Sequence, residues 1–157
     1  MELKINVNKI FAPLKNKELV LTPEERVRQE YICRLVNHYG YDLSQMEQEL
    51  QVNNSHRGQG KARADIVVWK SASAKSNEDA ATIVVECKAE HITIREEDYF
   101  QGYNYAAWAG ADFFVTTNLK ETRVFKVNKG KLPKRLEEIV DIPKADELTN
   151  AKKLKEL

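Results

Sequence analysis

Three charged residues stand beside apolar runs in the middle of this sequence: Asp65, Glu86 and Lys88. Asp65 lies at the head of one β-branched run, and Glu86 and Lys88 lie two residues apart near the end of the next. Side chains at i and i+2 share one face of a strand. If the two strands are neighbours, two carboxylates and an ammonium group converge, and such oxygen ligands suit a hard divalent cation such as Mg²⁺. Phosphodiester hydrolysis uses this set, because a metal ion lowers the pKa of the attacking water and stabilises the phosphate charge.

A simpler interpretation exists for each charge taken alone. A strand can end in a charged residue because it emerges into solvent, and Glu86 and Lys88 could pair with each other there. The set as a whole fits this interpretation less well, because Glu86 and Lys88 directly follow an apolar run in which a buried charge needs a partner.

Local patterns predict the elements that must position these residues. The segment Thr22-Pro23-Glu24-Glu25 is typical of a helix start, and Gly40 supplies a left-handed stop, so we predict a helix over about residues 23–39. We predict a second helix over 95–109, ended by Gly110, and strands over 46–52, 64–69, 82–88, 113–117 and 123–127. Residues 1–21 indicate a small hairpin or arm, and 53–61 and 71–77 indicate loops. This order predicts an α/β fold, a mixed sheet covered by helices on its faces.

Composition favours one globular domain. The chain has 157 residues with 25 Lys+Arg and 24 Asp+Glu, so its net charge of +1 indicates neither a polybasic coat nor an acidic tail. No apolar run approaches a membrane span. Cys33 and Cys87 form no C-x-x-C pair, and the amino terminus has no signal-peptide pattern, so we expect a reducing cytoplasm. Phosphate-loop and zinc spacings are absent from the sequence.

These motifs resemble those of the PD-(D/E)XK nucleases, and specifically the amino-terminal nuclease domain of type I restriction-enzyme subunits and related restriction-modification fusions. The resemblance rests on RADIVV at residues 63–68, VVECK at 84–88 and QGYNY at 101–105. The last segment is similar to the Q-x-x-x-Y motif of the branch that includes RecB-type nucleases. Ala64 stands where the family name has Pro, a position that contributes no ligand. The resemblance covers about residues 20–143.

The resemblance implies a restriction-endonuclease-like mixed β-sheet flanked by α-helices, and it implies roles for individual residues. Asp65 and Glu86 would bind Mg²⁺, for which Mn²⁺ can substitute, and the backbone carbonyl of Cys87 would be a further ligand. Lys88 would orient or activate the water. In the second helix, Gln101 would contact the site or the DNA backbone, and Tyr105 would support it.

The resemblance also implies a further acidic residue from the first helix or the first strand. Glu30 lies on the predicted helix and Glu49 on the predicted strand over 46–52, and the sequence leaves the choice between them open. Solvent exposure is the simpler interpretation of each residue separately.

A basic stretch suggests contact with nucleic-acid phosphates. Residues 120–135 contain seven basic residues and one acidic residue, a net charge of +6. A solvated basic face is the simpler interpretation of such a run. The residues that we predict to contact phosphates are Arg57, Lys61, Arg63, Lys120, Arg123 and Lys126.

Taken together, the sequence predicts a Mg²⁺-dependent DNA endonuclease domain of a restriction-modification enzyme, acting on double-stranded DNA in a prokaryotic cytoplasm. Motor, methyltransferase or specificity parts would be its partners in a longer protein or complex. We divide the single domain into an arm (1–21), a core (22–143) and a charged tail or linker (144–157). The alternative is a noncatalytic module of the same fold that binds DNA or docks a subunit. An RNA or single-stranded substrate also stays open.

Overall fold

The structure, a computed structural model, describes residues 1–51, 63–128 and 136–148. A six-stranded mixed sheet forms its centre, in the order β4-β5-β6-β7-β8-β9, and β1-β2-β3 form a small antiparallel sheet. The elements are β1 Ile5–Asn6, β2 Lys9–Ala12, β3 Lys17–Val20, α1 Pro23–Asn37, a 3₁₀ turn Leu43–Gln45, β4 Met46–Gln51, β5 Arg63–Val68, α2 Ala72–Ser76, β6 Ile83–Cys87, α3 Glu96–Ala109, β7 Phe113–Thr117, β8 Thr122–Val127, β9 Leu136–Ile139 and α4 Ala145–Leu148. The predicted α/β fold with a mixed sheet is confirmed.

One parallel pair determines how the sheet is connected. β6 and β7 are parallel, and the other neighbouring strands of the central sheet are antiparallel. Parallel neighbours require a crossover, which here contains α3. β5, which contains Asp65, and β6, which contains Glu86 and directly precedes Lys88, are antiparallel neighbours near the middle of the sheet.

Most of the predicted elements are confirmed, and the differences have local causes. The predicted loop over 71–77 is wrong, because the Ser71 hydroxyl accepts a hydrogen bond from the Ala74 amide at 3.0 Å and starts α2. The arm has three strands rather than two. β9 was not predicted, since its four residues, LEEI, carry two charges and little β-branched character. The predicted loop over 53–61 lies outside the described residues, and α4 occupies the start of the predicted tail.

Two cores lie on opposite faces of the central sheet. On one face, Ile66 and Val85 pack with Ile32 and other residues of α1. On the other face, Val84 packs with Ala106 of α3. Since adjacent strand residues point to opposite faces, α1 and α3 cover the two sides of the same strands.

No helix among residues 1–51, 63–128 and 136–148 combines the length and the apolar character needed to cross a membrane.

Two glycines test the predicted helix stops. Gly40 and Gly110 both have positive φ, +79° and +68°. A Cβ on Gly110 would lie 3.0 Å from the Cβ of Ala80, whereas the nearest atom to a Cβ on Gly40 would be 3.9 Å away. We expect Gly40→Ala to lower the free energy of unfolding by about 1 kcal/mol and Gly110→Ala by about 1 kcal/mol more, because only the second adds a steric contact. Urea denaturation measures both, and equal losses would contradict this account of Gly110.

Candidate active site at one end of the central sheet

An irregularity between β4 and β5 orients Asp65. The pairs on both sides of Glu49 and Asp65 belong to the strand register, but these two residues do not pair, and Glu49 has a φ of +55°. Ala64 packs in the core beside α3, whereas Ile66 packs in the core beside α1. The Asp65 carboxylate also reaches α1, so two successive residues point to the α1 side. The interruption of the ladder therefore turns Asp65 out of the regular alternation.

Arg28 of α1 holds this carboxylate from a buried position. The arginine is only 6% exposed. Its Nη2 donates to Asp65 Oδ1 at 2.7 Å and its Nη1 to Glu25 Oε1 at 2.6 Å. The carboxylates of Glu24 and Glu49 lie 3.5 and 3.6 Å from the guanidinium. Burial alone would lower the pKa of Arg28. The charges of Asp65 and Glu25 outweigh this effect and raise the pKa above its ordinary value, so the guanidinium stays charged.

The second oxygen of Asp65 connects β5 to β6. Asp65 Oδ2 accepts a hydrogen bond from the backbone N–H of Cys87 at 2.7 Å. The two strands pair Ile66 with Val85, and one further step along the same register places Asp65 opposite Glu86. The two carboxyl groups predicted as metal ligands therefore lie on neighbouring strands.

Glu86 is a buried carboxyl group next to another acid. It is 6% exposed, and within the described part of the chain it has no hydrogen-bond or ion-pair partner for its side chain. Burial, followed by the charge of Asp65, raises its pKa to about 9. Without a bound cation, Glu86 therefore holds a proton at neutral pH.

Lys88 directly follows β6, and its acidic neighbours are Glu86 on β6 and Asp98 on α3. Its backbone N–H donates to Thr117 O at 2.9 Å, and its ammonium nitrogen lies 3.5 Å from Asp98 Oδ1 in the first turn of α3. Burial acts to lower the pKa of Lys88, but Asp98 and Glu86 raise it above its ordinary value. The lysine is a cation at neutral pH, and β6 and α3 position it.

The donor chemistry of the site fits a hard divalent cation. Asp65 and Glu86 provide carboxylate oxygens, and the buried Glu86 side chain has no hydrogen-bond or ion-pair partner among the described residues, with Lys88 as a nearby cation. No group of three or more His, Cys, Asp or Glu side chains is arranged to hold a metal ion in the described ranges. A cation here would therefore complete its coordination with water and phosphate oxygens, as Mg²⁺ commonly does. The Cys87 thiol is buried in the α1-side core, where burial raises its pKa strongly, and the role of its carbonyl stays a prediction.

The structure separates the two candidates for a further acidic residue. Glu49 lies beside Arg28, close to Asp65. Glu30 lies on α1 near Cys33; burial raises the pKa of the Cys33 thiol, and the charge of Glu30 raises it further. No hydrogen bond or ion pair between described residues joins the Glu30 side chain to Arg28 or Asp65.

Gln101 and Tyr105 lie in α3, but their side chains fall outside what the structure describes. The roles predicted for them therefore stay predictions.

The predicted phosphate-binding residues are not gathered in one place. Arg63 opens β5 and is exposed, two residues before Asp65. Arg123 is held by Glu138 through hydrogen bonds of 2.7 and 2.9 Å. Lys126 lies on β8, Lys120 is exposed after β7, and Arg57 and Lys61 lie outside the described residues.

Sequence reasoning missed the residues that surround Asp65 and Lys88: Glu24, Glu25, Arg28 and Asp98. A signal for three of them was present, because Glu24 and Glu25 precede Arg28 by four and three residues and so share a helix face with it. The partner of Arg28 on β5 could not be inferred from that spacing.

A comparison with protein families identifies the class of this domain. The family model described as type I restriction enzyme R protein N terminus (HSDR_N) matches residues 23–143. The match spans 121 of the 157 residues, and the chain belongs to this family. Searches of the curated proteins and of the solved structures gave no match.

The contacts of Arg28 predict a large effect on stability. Arg28→Met leaves the buried carboxylates of Asp65 and Glu25 without their cation, so we expect the free energy of unfolding to fall by about 3–5 kcal/mol. Arg26→Met is the matched control, because Arg26 is exposed on the same turn and should change stability by less than about 0.5 kcal/mol. Chemical denaturation at neutral pH compares them. Similar small losses in both variants would show that the Arg28 cluster contributes little.

The raised pKa of Glu86 predicts a pH-dependent stability. Between the ordinary pKa of 4.5 and a folded-state pKa of about 9, the folded protein keeps a proton that the unfolded chain has released. The free energy of unfolding therefore falls as pH rises through this window, by at most about 1.4 kcal/mol per pH unit. A neutral amide removes this dependence. We expect Glu86→Gln to match the parent near pH 4 and to exceed it increasingly up to about pH 9.

Thermal or urea denaturation in EDTA at several pH values measures this difference. Glu18→Gln, at an exposed position of β3, is the control with the same chemical change. A stability difference between Glu86→Gln and the parent that stays constant over this pH range would contradict the environment assigned to Glu86.

Proposed function

We propose that this chain is a Mg²⁺-dependent DNA endonuclease domain of a restriction-modification enzyme. Its reaction would be hydrolysis of phosphodiester bonds at the site formed by Asp65, Glu86 and Lys88. Membership in the type I restriction enzyme R protein N-terminus family supports a role in a restriction system. The assignment of the chemistry to this site depends on the arrangement of these side chains.

The observation that carries the proposal is the buried Glu86 carboxyl group beside Asp65. Two neighbouring carboxylates are costly to bury. The charge of Lys88 lowers the pKa of Glu86, but no described side chain forms a hydrogen bond or ion pair with this carboxyl group. A divalent cation offsets both charges at once. The arrangement is therefore better explained by an ion-binding site than by a structural ion pair.

The protein's own groups are held in position for this reaction. Arg28 and the Cys87 N–H each bind one oxygen of Asp65, and a carboxylate has further lone pairs for a ligand. Lys88 provides a positive charge next to Glu86 for the nucleophile or for the developing phosphate charge. When bound, Mg²⁺ would lower the pKa of a water molecule and stabilise charge on the phosphate.

Double-stranded DNA is the proposed substrate. Motor, methyltransferase and specificity parts of a restriction assembly are the proposed partners, in a prokaryotic cytoplasm. These assignments follow from the family and from the chemistry of the site. Gln101 and Tyr105 are proposed to act from α3, and Glu49 is proposed over Glu30 as the further acid because it lies beside Arg28.

One observation favours the noncatalytic alternative. Both oxygens of Asp65 already accept hydrogen bonds, and a carboxylate fully occupied by protein groups can serve a structural role. In that case the domain would bind DNA or a partner subunit without cutting. The two functions differ in their dependence on a divalent cation.

Cleavage of supercoiled plasmid by the purified chain tests the proposal. We expect cleavage with Mg²⁺ or Mn²⁺ and none in EDTA, and a rate reduced by about a hundredfold or more in Asp65→Asn, Glu86→Gln and Lys88→Met. Glu18→Gln is the matched control, since Glu18 is exposed on β3 and no described hydrogen bond or ion pair joins its side chain to Asp65, Glu86 or Lys88. DNA binding without cleavage, or equal cleavage by the parent and the Asp65 variant, would contradict the proposed catalysis.

A further inference from the structure

A groove beside the candidate site is lined by basic side chains that the site does not use. Arg26, His91 and Lys120 line it together with Glu90, and its volume is about 440 Å³. The groove also includes Thr22 and Pro23, which directly precede Glu24 at the start of α1. Glu90 follows Lys88 by two residues. Two segments that line the groove are therefore close in sequence to residues of the site.

Hydrogen bonds fix the walls of this groove to the central strands. Asn118 donates from its Nδ2 to Ile92 O at 2.8 Å, and its Oδ1 accepts from the Glu121 N–H at 2.7 Å. The Lys88 N–H donates to Thr117 O at 2.9 Å. These bonds join the turn after β6 to the segment after β7, so His91 and Lys120 are presented from one connected framework.

The two full cations in this groove, Arg26 and Lys120, have no partner in the part of the chain that the structure describes. Arg26 and Lys120 are exposed, and no hydrogen bond or ion pair joins either side chain to another part of the chain that the structure describes. Arg123, by contrast, is held by Glu138. With His91 counted as neutral, the groove has two cations and one anion, Glu90, and a net charge of +1.

The adjacent site has the opposite charge character. Glu24, Asp65, Glu86 and Asp98 all influence the electrostatics of the site, with Lys88 among them. A polyanion that approaches this acidic site needs cations along its path, because phosphates are otherwise repelled. Among the described residues, Arg26 and Lys120 in this groove are two such cations without an ion-pair partner.

We propose that Arg26, His91 and Lys120 form the surface that binds the DNA backbone next to the bond to be cut. Arg26 and Lys120 would contact phosphate oxygens, and the His91 ring would donate a hydrogen bond to the same strand. The inference rests on the proposed nuclease function and adds to it the surface that holds the substrate. It assigns Lys120, rather than Arg123 or Lys126, as the phosphate contact from the basic stretch.

Binding of the chain to a fluorescein-labelled DNA duplex of about 20 base pairs tests the groove without cleavage. Fluorescence anisotropy is measured in EDTA between about 50 and 200 mM NaCl. We expect the double variant Arg26→Gln/Lys120→Gln to bind about tenfold more weakly at low salt. Its plot of log K against log[salt] should be shallower by about 2, because two phosphate contacts are lost.

The control is Lys9→Gln/Lys70→Gln, which removes the same charge from exposed positions on β2 and just beyond the end of β5 opposite to Asp65. It should keep the slope of the parent. Equal losses of DNA affinity in the two double variants would contradict the proposed DNA-binding role of the groove, because net charge alone would then explain the binding. Undetectable DNA binding by the parent would overturn it as well, and an acidic protein surface would then be the better match for these cations.

The same variants separate this inference from the proposed catalysis. Groove-dependent binding by a parent that cuts no DNA in Mg²⁺ or Mn²⁺ would support the groove and contradict the nuclease. Metal-dependent cleavage lost in Asp65→Asn but unaffected by Arg26→Gln/Lys120→Gln would support the nuclease and overturn the groove.

Discussion

The site depends on one buried guanidinium. Arg28 joins α1 to β5 through hydrogen bonds to Glu25 and Asp65, and without it these carboxylates would repel each other in a place that water scarcely reaches. Arginine suits this role better than lysine, because its planar group stays charged when buried and can donate to two carboxylates at once. The first turn of α1 must therefore start close to the sheet. The Thr22 cap, which accepts from the Glu25 N–H at 3.0 Å, starts the helix there.

The topology of the sheet brings the remaining groups to the same end. Because β6 and β7 are parallel, the chain crosses over through α3, and the first turn of that helix places Asp98 beside Lys88. The unpaired position at Glu49 turns Asp65 toward α1. An acid-rich centre and a neighbouring basic groove result, a charge arrangement suited to hold a cation and a phosphate backbone side by side.

Local signals in the sequence predict most of the fold, but they do not predict the long-range contacts of the site. The helix cap and the β-branched runs predicted α1, β5 and β6, because each depends on nearby residues. The Arg28–Asp65 contact joins residues 37 positions apart, and no local pattern indicates it. For the same reason the sequence left Glu30 and Glu49 open, whereas the pairing of β4 with β5 brings Glu49 to Arg28. The sequence predicts the helix that contains Gln101 and Tyr105, but helix periodicity does not predict which residues their side chains contact.

The most direct test of the central claim is a crystal structure of the chain with Mn²⁺, with the ion located by its anomalous scattering. Our account predicts an ion bound by oxygens of both Asp65 and Glu86 at about 2.0–2.3 Å, with Lys88 beside its water ligands and Arg28 still in contact with Asp65. A structure without an ion at these two carboxylates, with Glu86 turned away from Asp65, would contradict the assignment of this site as a metal centre.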